Sequence, residues 1–100
     1  MTVALVGGLT RLESKYKEKG RSHNIDLRVF TEKKACDRCR IENADAVILL
    51  TDLVAHQNAK KVYELARKKD MCLVCSHRSS LSAVERCLSE LIGKEERHST

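Results

Sequence analysis

The run Ala46-Val-Ile-Leu-Leu50 constrains this chain more than any other segment. Five consecutive apolar residues, two of them β-branched, sit between Ala44-Asp45 and Thr51-Asp52 and leave no polar side to turn toward water. A strand of that kind is buried on both faces, the condition of a central strand in a parallel sheet with helices on either side. Val3-Ala-Leu-Val6 has the same character and runs into Gly7-Gly8. Two such strands, each followed by a helical pattern, predict an α/β domain.

The remaining elements fall into place around that pair. Leu9 precedes Thr10-Arg-Leu-Glu13, a capping-box spacing that predicts a helix running to about Lys19 and stopping at Gly20. Ile25 to Thr31 alternates apolar and polar residues, as a half-exposed edge strand does. Glu32 to Ala44 is dense in charge and reads as a loop or a single helical turn. Thr51-Asp52 reads as the cap of a helix over about 53–69, with Ala55, Ala59, Val62 and Ala66 on one face. Met71 to Cys75 is the fourth strand. Ser80 or Ser82 then opens a last helix that buries Leu81, Val84, Leu88 and Leu91. Right-handed crossovers between buried strands give a small open, doubly wound sheet of four strands in the order 2-1-3-4, with about three helices, in the Rossmann or flavodoxin manner. One domain over residues 1–93 and a polar tail over 94–100 are expected.

Composition excludes several function classes. Aromatic residues number only three, Tyr16, Phe30 and Tyr63, too few for a surface that stacks single-stranded bases. The net charge of +5 is spread over helical positions such as Lys60, Lys61, Arg67 and Lys68, as on solvated helix faces, and no groove-reading element accompanies it. Nucleic acid is therefore not an expected partner. No apolar run approaches the ~20 residues that cross a bilayer. The chain opens directly into a strand, without a signal-peptide layout, so a cytoplasmic location is expected. In that compartment the five cysteines are thiols, metal ligands or redox groups rather than structural disulfides.

Ligands of a doubly wound sheet bind outside the carboxyl ends of its strands, at the switch point between the first and third. Cys36-x-x-Cys39 and Cys72-x-x-Cys75 together look like a four-cysteine zinc ribbon. Strand geometry argues against that set, because Cys72 and Cys75 would stand ~10 Å apart on opposite faces and one ion cannot take both at a zinc–sulfur bond of ~2.3 Å. Cys72 and Cys87 read as small buried hydrophobes. The remaining metal candidates are Cys36, Cys39 and Cys75 with His56 in the first turn of its helix, and His77 in reserve. A Cys₃His set suits zinc and can serve an iron–sulfur cluster. The alternative is an exposed Cys36/Cys39 thiol pair activated by Lys33, Lys34, Arg38 and Arg40.

Gly7 and Gly8 could let the backbone approach an anion at the amino end of the first helix, and Asp52 could face the same cofactor. The third glycine of the dinucleotide fingerprint and the Lys-Ser/Thr of a P-loop are both missing. Tight-turn geometry explains the glycines without a ligand, and a helix cap is the favoured reading of Asp52. No catalytic dyad is forced by spacing, and an enzyme using Asp52, His56 and a cysteine would have no substrate that these residues identify.

The opening Val6-Gly7-Gly8-Leu9-x-Arg11-Leu12-Glu13, the stretch Ala44-Asp45-Ala46-Val47-Ile48 leading into Thr51-Asp52-x-x-x-His56, and the ending Ser76-His77-Arg78-Ser79-Ser80-Leu81-Ser82 resemble the bacterial family DUF2325. The resemblance covers about residues 3–92 and implies a small Rossmann-like domain. It also brings haem or another iron cofactor into view, with His56 as an axial-ligand candidate. Residues and resemblance together lead to a metal-binding module, zinc or iron–sulfur, serving redox or metal sensing or electron transfer. An anion- or nucleotide-binding regulatory module is the alternative. The unpaired edges of a small open sheet lead to the expectation of a homodimer.

Overall fold

The computed structural model describes residues 1–30, 41–52, 54 and 56–98. Strands β1 (Thr2–Val6), β2 (Asp26–Phe30), β3 (Ala46–Leu50) and β4 (Cys72–Ser76) form one parallel sheet in the order β2-β1-β3-β4. A single 3₁₀ turn, Thr10–Leu12, leads into helix α1 (Glu13–Ser22). Helix α2 (His56–Lys68) joins β3 to β4, and α3 (Leu81–His98) follows β4. The register sets Leu5 opposite Val29 and Ile48, and Ile48 opposite Val74.

Side-chain alternation along the strands sorts the core into two layers. Val3, Leu5, Leu27, Val29, Ala46, Ile48, Leu50 and Val74 pack against Tyr16 of α1 and against Val84, Cys87, Leu88 and Leu91 of α3. Ala4, Val6, Phe30, Val47 and Leu49 pack against Ala59, Val62 and Leu65 of α2 and against Ile41 and Ala44. All five residues of β3 are buried, as a strand covered on both faces requires. Among the described residues no helix is long and apolar enough to cross a membrane.

Several local features depart from the sequence reading. The capping-box expectation gives way to a 3₁₀ turn that contains Thr10 and is closed by the Leu12 N–H on the Leu9 carbonyl at 3.0 Å. Gly20 does not end α1. It lies inside the helix, buried against β2, where a Cβ would stand 2.9 Å from Leu27 Cβ. Its lack of a side chain permits that approach, and Asn24 (φ +59°) supplies the left-handed residue before β2. Asp52 precedes the first residue of α2 by four positions, so it is no cap there, and its carboxylate has another partner described below. Ser80 does cap α3, its Oγ accepting the Ala83 N–H at 3.2 Å. α3 continues to His98, so helical backbone covers most of the segment read as a tail.

Two helices on the same face are joined at their solvent side by charge. Glu85 of α3 accepts from His23 Nε2 at 2.8 Å and lies 3.5 Å from Lys19 Nζ. The hydrogen bond to His23 lowers the Glu85 pKa below its ordinary 4.5, and the charges of His23 and Lys19 act in the same direction. A lowered carboxylate pKa gives stability that is present above the unfolded value and lost as pH falls through the folded one. In urea unfolding, Glu85→Gln is expected to be less stable than wild type near neutral pH, with the gap closing as pH falls below 4.5. Gly7→Ala meets a harder obstacle: φ is +99°, and a Cβ would lie 2.5 Å from the Leu50 carbonyl oxygen. Its expected cost is roughly 2–3 kcal/mol from backbone strain alone, read from the same unfolding curves.

Candidate functional site

The carboxyl edge of the sheet carries three chain segments that meet above the β1/β3 boundary: Gly7–Leu9 after β1, Thr51–Asp52 after β3, and His77–Ser80 after β4. In the order 2-1-3-4 this boundary is the switch point, where successive crossovers leave in opposite directions and open a crevice.

Tyr16 ties the first and third segments together from below. Its fully buried hydroxyl donates to the Ser79 carbonyl at 2.6 Å and accepts the Leu9 N–H at 3.1 Å. Gly8 makes this possible, since a Cβ there would stand 2.9 Å from the Tyr16 ring and 3.1 Å from its hydroxyl. Ser79 in turn donates its Oγ–H to the Asp52 carboxylate, which joins the third segment to the second. Ser79 is buried while Asp52 is exposed, so the bond ties the carboxylate of an exposed residue to a buried serine. Thr51 continues the β3–β4 ladder, its N–H donating to the Ser76 carbonyl at 2.8 Å, and its Oγ1 lies 2.9 Å from His77 Nδ1. Ser76 Oγ accepts the Arg78 N–H at 3.2 Å and donates to the Arg78 carbonyl at 3.1 Å. His77 and Arg78 are exposed.

The cysteines separate as strand geometry requires. Cys72 packs with the α1/α3 layer, whereas Cys75 pairs with Leu49 of the α2 layer and is exposed, its Sγ 3.1 Å from the Tyr63 hydroxyl. That hydrogen bond is the largest of the causes that raise the Tyr63 pKa above 10.0. Cys87 is buried in the core, and burial pushes its thiol pKa up. Cys72 and Cys75 therefore stand on opposite faces of the sheet, for the reason given by alternation.

Of the expected metal ligands, Cys75 is placed at the carboxyl end of β4. Cys36 and Cys39 lie outside the described residues, and His56 is described in its backbone only, as the first residue of α2. Among the described residues no group of three or more His, Cys, Asp or Glu side chains is arranged to hold a metal ion. Gly7 and Gly8 do stand at the switch point, but the space beside them is occupied by Leu50, Val54 and Tyr16.

The model of a family described as "Uncharacterized protein conserved in bacteria (DUF2325)" matches residues 2–91. The chain belongs to the DUF2325 family. No curated protein and no solved structure matches it. The DUF2325 match spans all four strands and all three loop segments of the crevice, so the site lies wholly inside the family's domain.

Sequence reasoning passed over Tyr16 and Tyr63. Tyr16 falls on the buried side of α1, where an aromatic residue ordinarily signals core packing, and its hydroxyl partners are distant in sequence. The available clue was a tyrosine in a chain with so few aromatics, because a buried phenol needs a hydrogen-bond partner. Tyr16→Phe would leave the Leu9 N–H and the Ser79 carbonyl without that partner. A loss of roughly 1–3 kcal/mol is expected in chemical denaturation.

Proposed function

We propose that this DUF2325 domain is a metal-binding module, taking zinc or an iron–sulfur cluster at the carboxyl edge of its sheet, with a role in redox or metal sensing or electron transfer. Cys75 carries the reading. It is an exposed thiol at the carboxyl end of β4, and it faces the layer of α2, the helix that begins at His56. The Tyr63 hydroxyl of α2 reaches its sulfur at 3.1 Å. The thiol thus lies against α2, the helix that begins at His56. Cys36 and Cys39 would complete a soft, thiolate-rich set that favours zinc or iron over magnesium or calcium. A homodimer formed through the open β2 or β4 edge belongs to the same reading.

Asp52 and Arg78 favour a second reading, an anion- or nucleotide-binding regulatory module. Ser79 holds the carboxylate of the exposed Asp52 in place, and Arg78 is an exposed cation on the same segment as Ser79. A nucleotide that binds only the folded protein would raise its melting temperature.

The two readings separate in one preparation. Protein purified anaerobically without chelator, and reconstituted with zinc or with iron and sulfide, is expected to hold stoichiometric metal, with Cys75→Ser holding it more weakly. Brown absorbance would select an iron–sulfur cluster and a Soret band would select haem. A colourless protein without stoichiometric zinc or iron after reconstitution would overturn the metal reading.

A further inference from the structure

We propose that β4 is the edge through which two copies of this chain pair, antiparallel about a two-fold axis at Val74, so that their sheets become one. The inference rests on the homodimer named above and not on the metal. Backbone direction decides which groups are available. Ser76 turns its carbonyl toward β3, where it accepts the Thr51 N–H at 2.8 Å. Backbone groups point alternately to the two sides of a strand. Cys72, Val74 and Ser76 therefore pair with β3, and the N–H and C=O of Leu73 and Cys75 face outward from the last strand of the sheet.

The two open edges are not alike. β2 carries Asp26 and Arg28, both exposed and 3.8 Å apart, and charged side chains on an edge strand oppose pairing with another chain. β4 reads Cys-Leu-Val-Cys-Ser and has no charge. Beside it stands Tyr63, 44% exposed, its hydroxyl 3.1 Å from Cys75 Sγ. The other two aromatic residues, Tyr16 and Phe30, are buried. Tyr63, Cys75 and the half-buried Met71 and Leu73 lie on the α2 side of this edge, an uncharged strip with the composition of an interface core.

Charge then selects the register. A two-fold axis runs the two copies of β4 antiparallel and closes the assembly at a dimer. Outward-facing residues must meet outward-facing residues, so the central choices for the axis are Leu73, Val74 and Cys75. At Val74, Leu73 exchanges both backbone hydrogen bonds with the partner's Cys75, and the symmetry repeats the pair. Asp70 and Arg78, each four residues from Val74 and both exposed, then stand opposite the partner's Arg78 and the partner's Asp70. Neither has an ion-pair partner among the described residues. An axis at Leu73 would instead set Lys68 opposite the partner's Arg78, and like charges directly opposite destabilise a strand pair. An axis at Cys75 would set Arg78 opposite the partner's Cys72, with no charge to meet it. Because Arg78 belongs to the loop His77–Ser80, the partner's Asp70 adds a carboxylate to the rim of the crevice.

Sedimentation equilibrium of the reduced protein, with amide hydrogen exchange followed by NMR, tests this assignment. Wild type is expected to dimerise, with the Leu73 and Cys75 amides exchanging more slowly as concentration rises. Arg78→Glu is expected to weaken the dimer about tenfold or more, because it sets like charges together. Asp70→Lys in the same chain is expected to restore it, and Arg28→Glu on β2 to leave it unchanged. A wild type that stays monomeric would overturn the homodimer and this inference, leaving the metal reading to its own test. A dimer whose Leu73 and Cys75 amides exchange as fast as in the monomer would overturn the β4 assignment and leave the homodimer standing. So would a dimer weakened by Arg28→Glu and not by Arg78→Glu. A double variant no tighter than Arg78→Glu alone would overturn the register.

Discussion

A parallel strand cannot be joined to its neighbour by a tight turn, so each connection in this sheet must cross from one end to the other over a face. β3 has parallel neighbours on both sides and is buried along its whole length. With both faces apolar, it needs cover from above and below, and α1, α3 and α2 supply it in two layers. The direction of every helix and the position of every loop follow from that requirement. The loops after β1, β3 and β4 must all emerge at the same end, and they emerge around the boundary at which the crossovers diverge.

Convergence of loops does not by itself make a site with defined geometry, and here a few polar groups provide the definition. Tyr16 is the anchor. Its hydroxyl holds a backbone donor of one loop and a backbone acceptor of another at the bottom of the crevice, both far from it in sequence or in a different element. Ser79 and Thr51 extend the connection outward, one to a carboxylate and the other to an imidazole. The buried members satisfy backbone groups that the apolar layers could not, and Asp52, His77 and Arg78 stay exposed. Gly7 and Gly8, which suggest phosphate binding when read in isolation, are also required by the close packing beneath this network, where a Cβ would meet Leu50, Val54 or Tyr16.

Much of the architecture was legible in the order of residues. The β3 segment Ala46–Leu50 was recognised residue for residue, and the sheet order 2-1-3-4 followed from two doubly buried strands and the right-handed crossover. The rejection of Cys72 as a partner of Cys75 also followed from the period of a strand. Helix boundaries were less legible. Gly20 resembles a terminator because glycine often ends helices, yet contact with Leu27 is what demands it. Asp52 resembles a cap because it precedes a helical pattern, yet Ser79 claims its carboxylate.

By itself the sequence determined the fold class, the strand order, the two-layer core and the end of the sheet at which the loops after β1, β3 and β4 converge. These depend on hydrophobic period and run length, which are local properties and survive without knowledge of distant partners. Tertiary structure alone decided which polar atoms meet. Ser79 reaches Asp52 across 27 positions and Tyr16 reaches Ser79 across 63, and neither spacing has a period that a sequence could display. Hydrogen bonds act over about 3 Å, so such meetings depend on strand register and side-chain direction after the chain has closed upon itself.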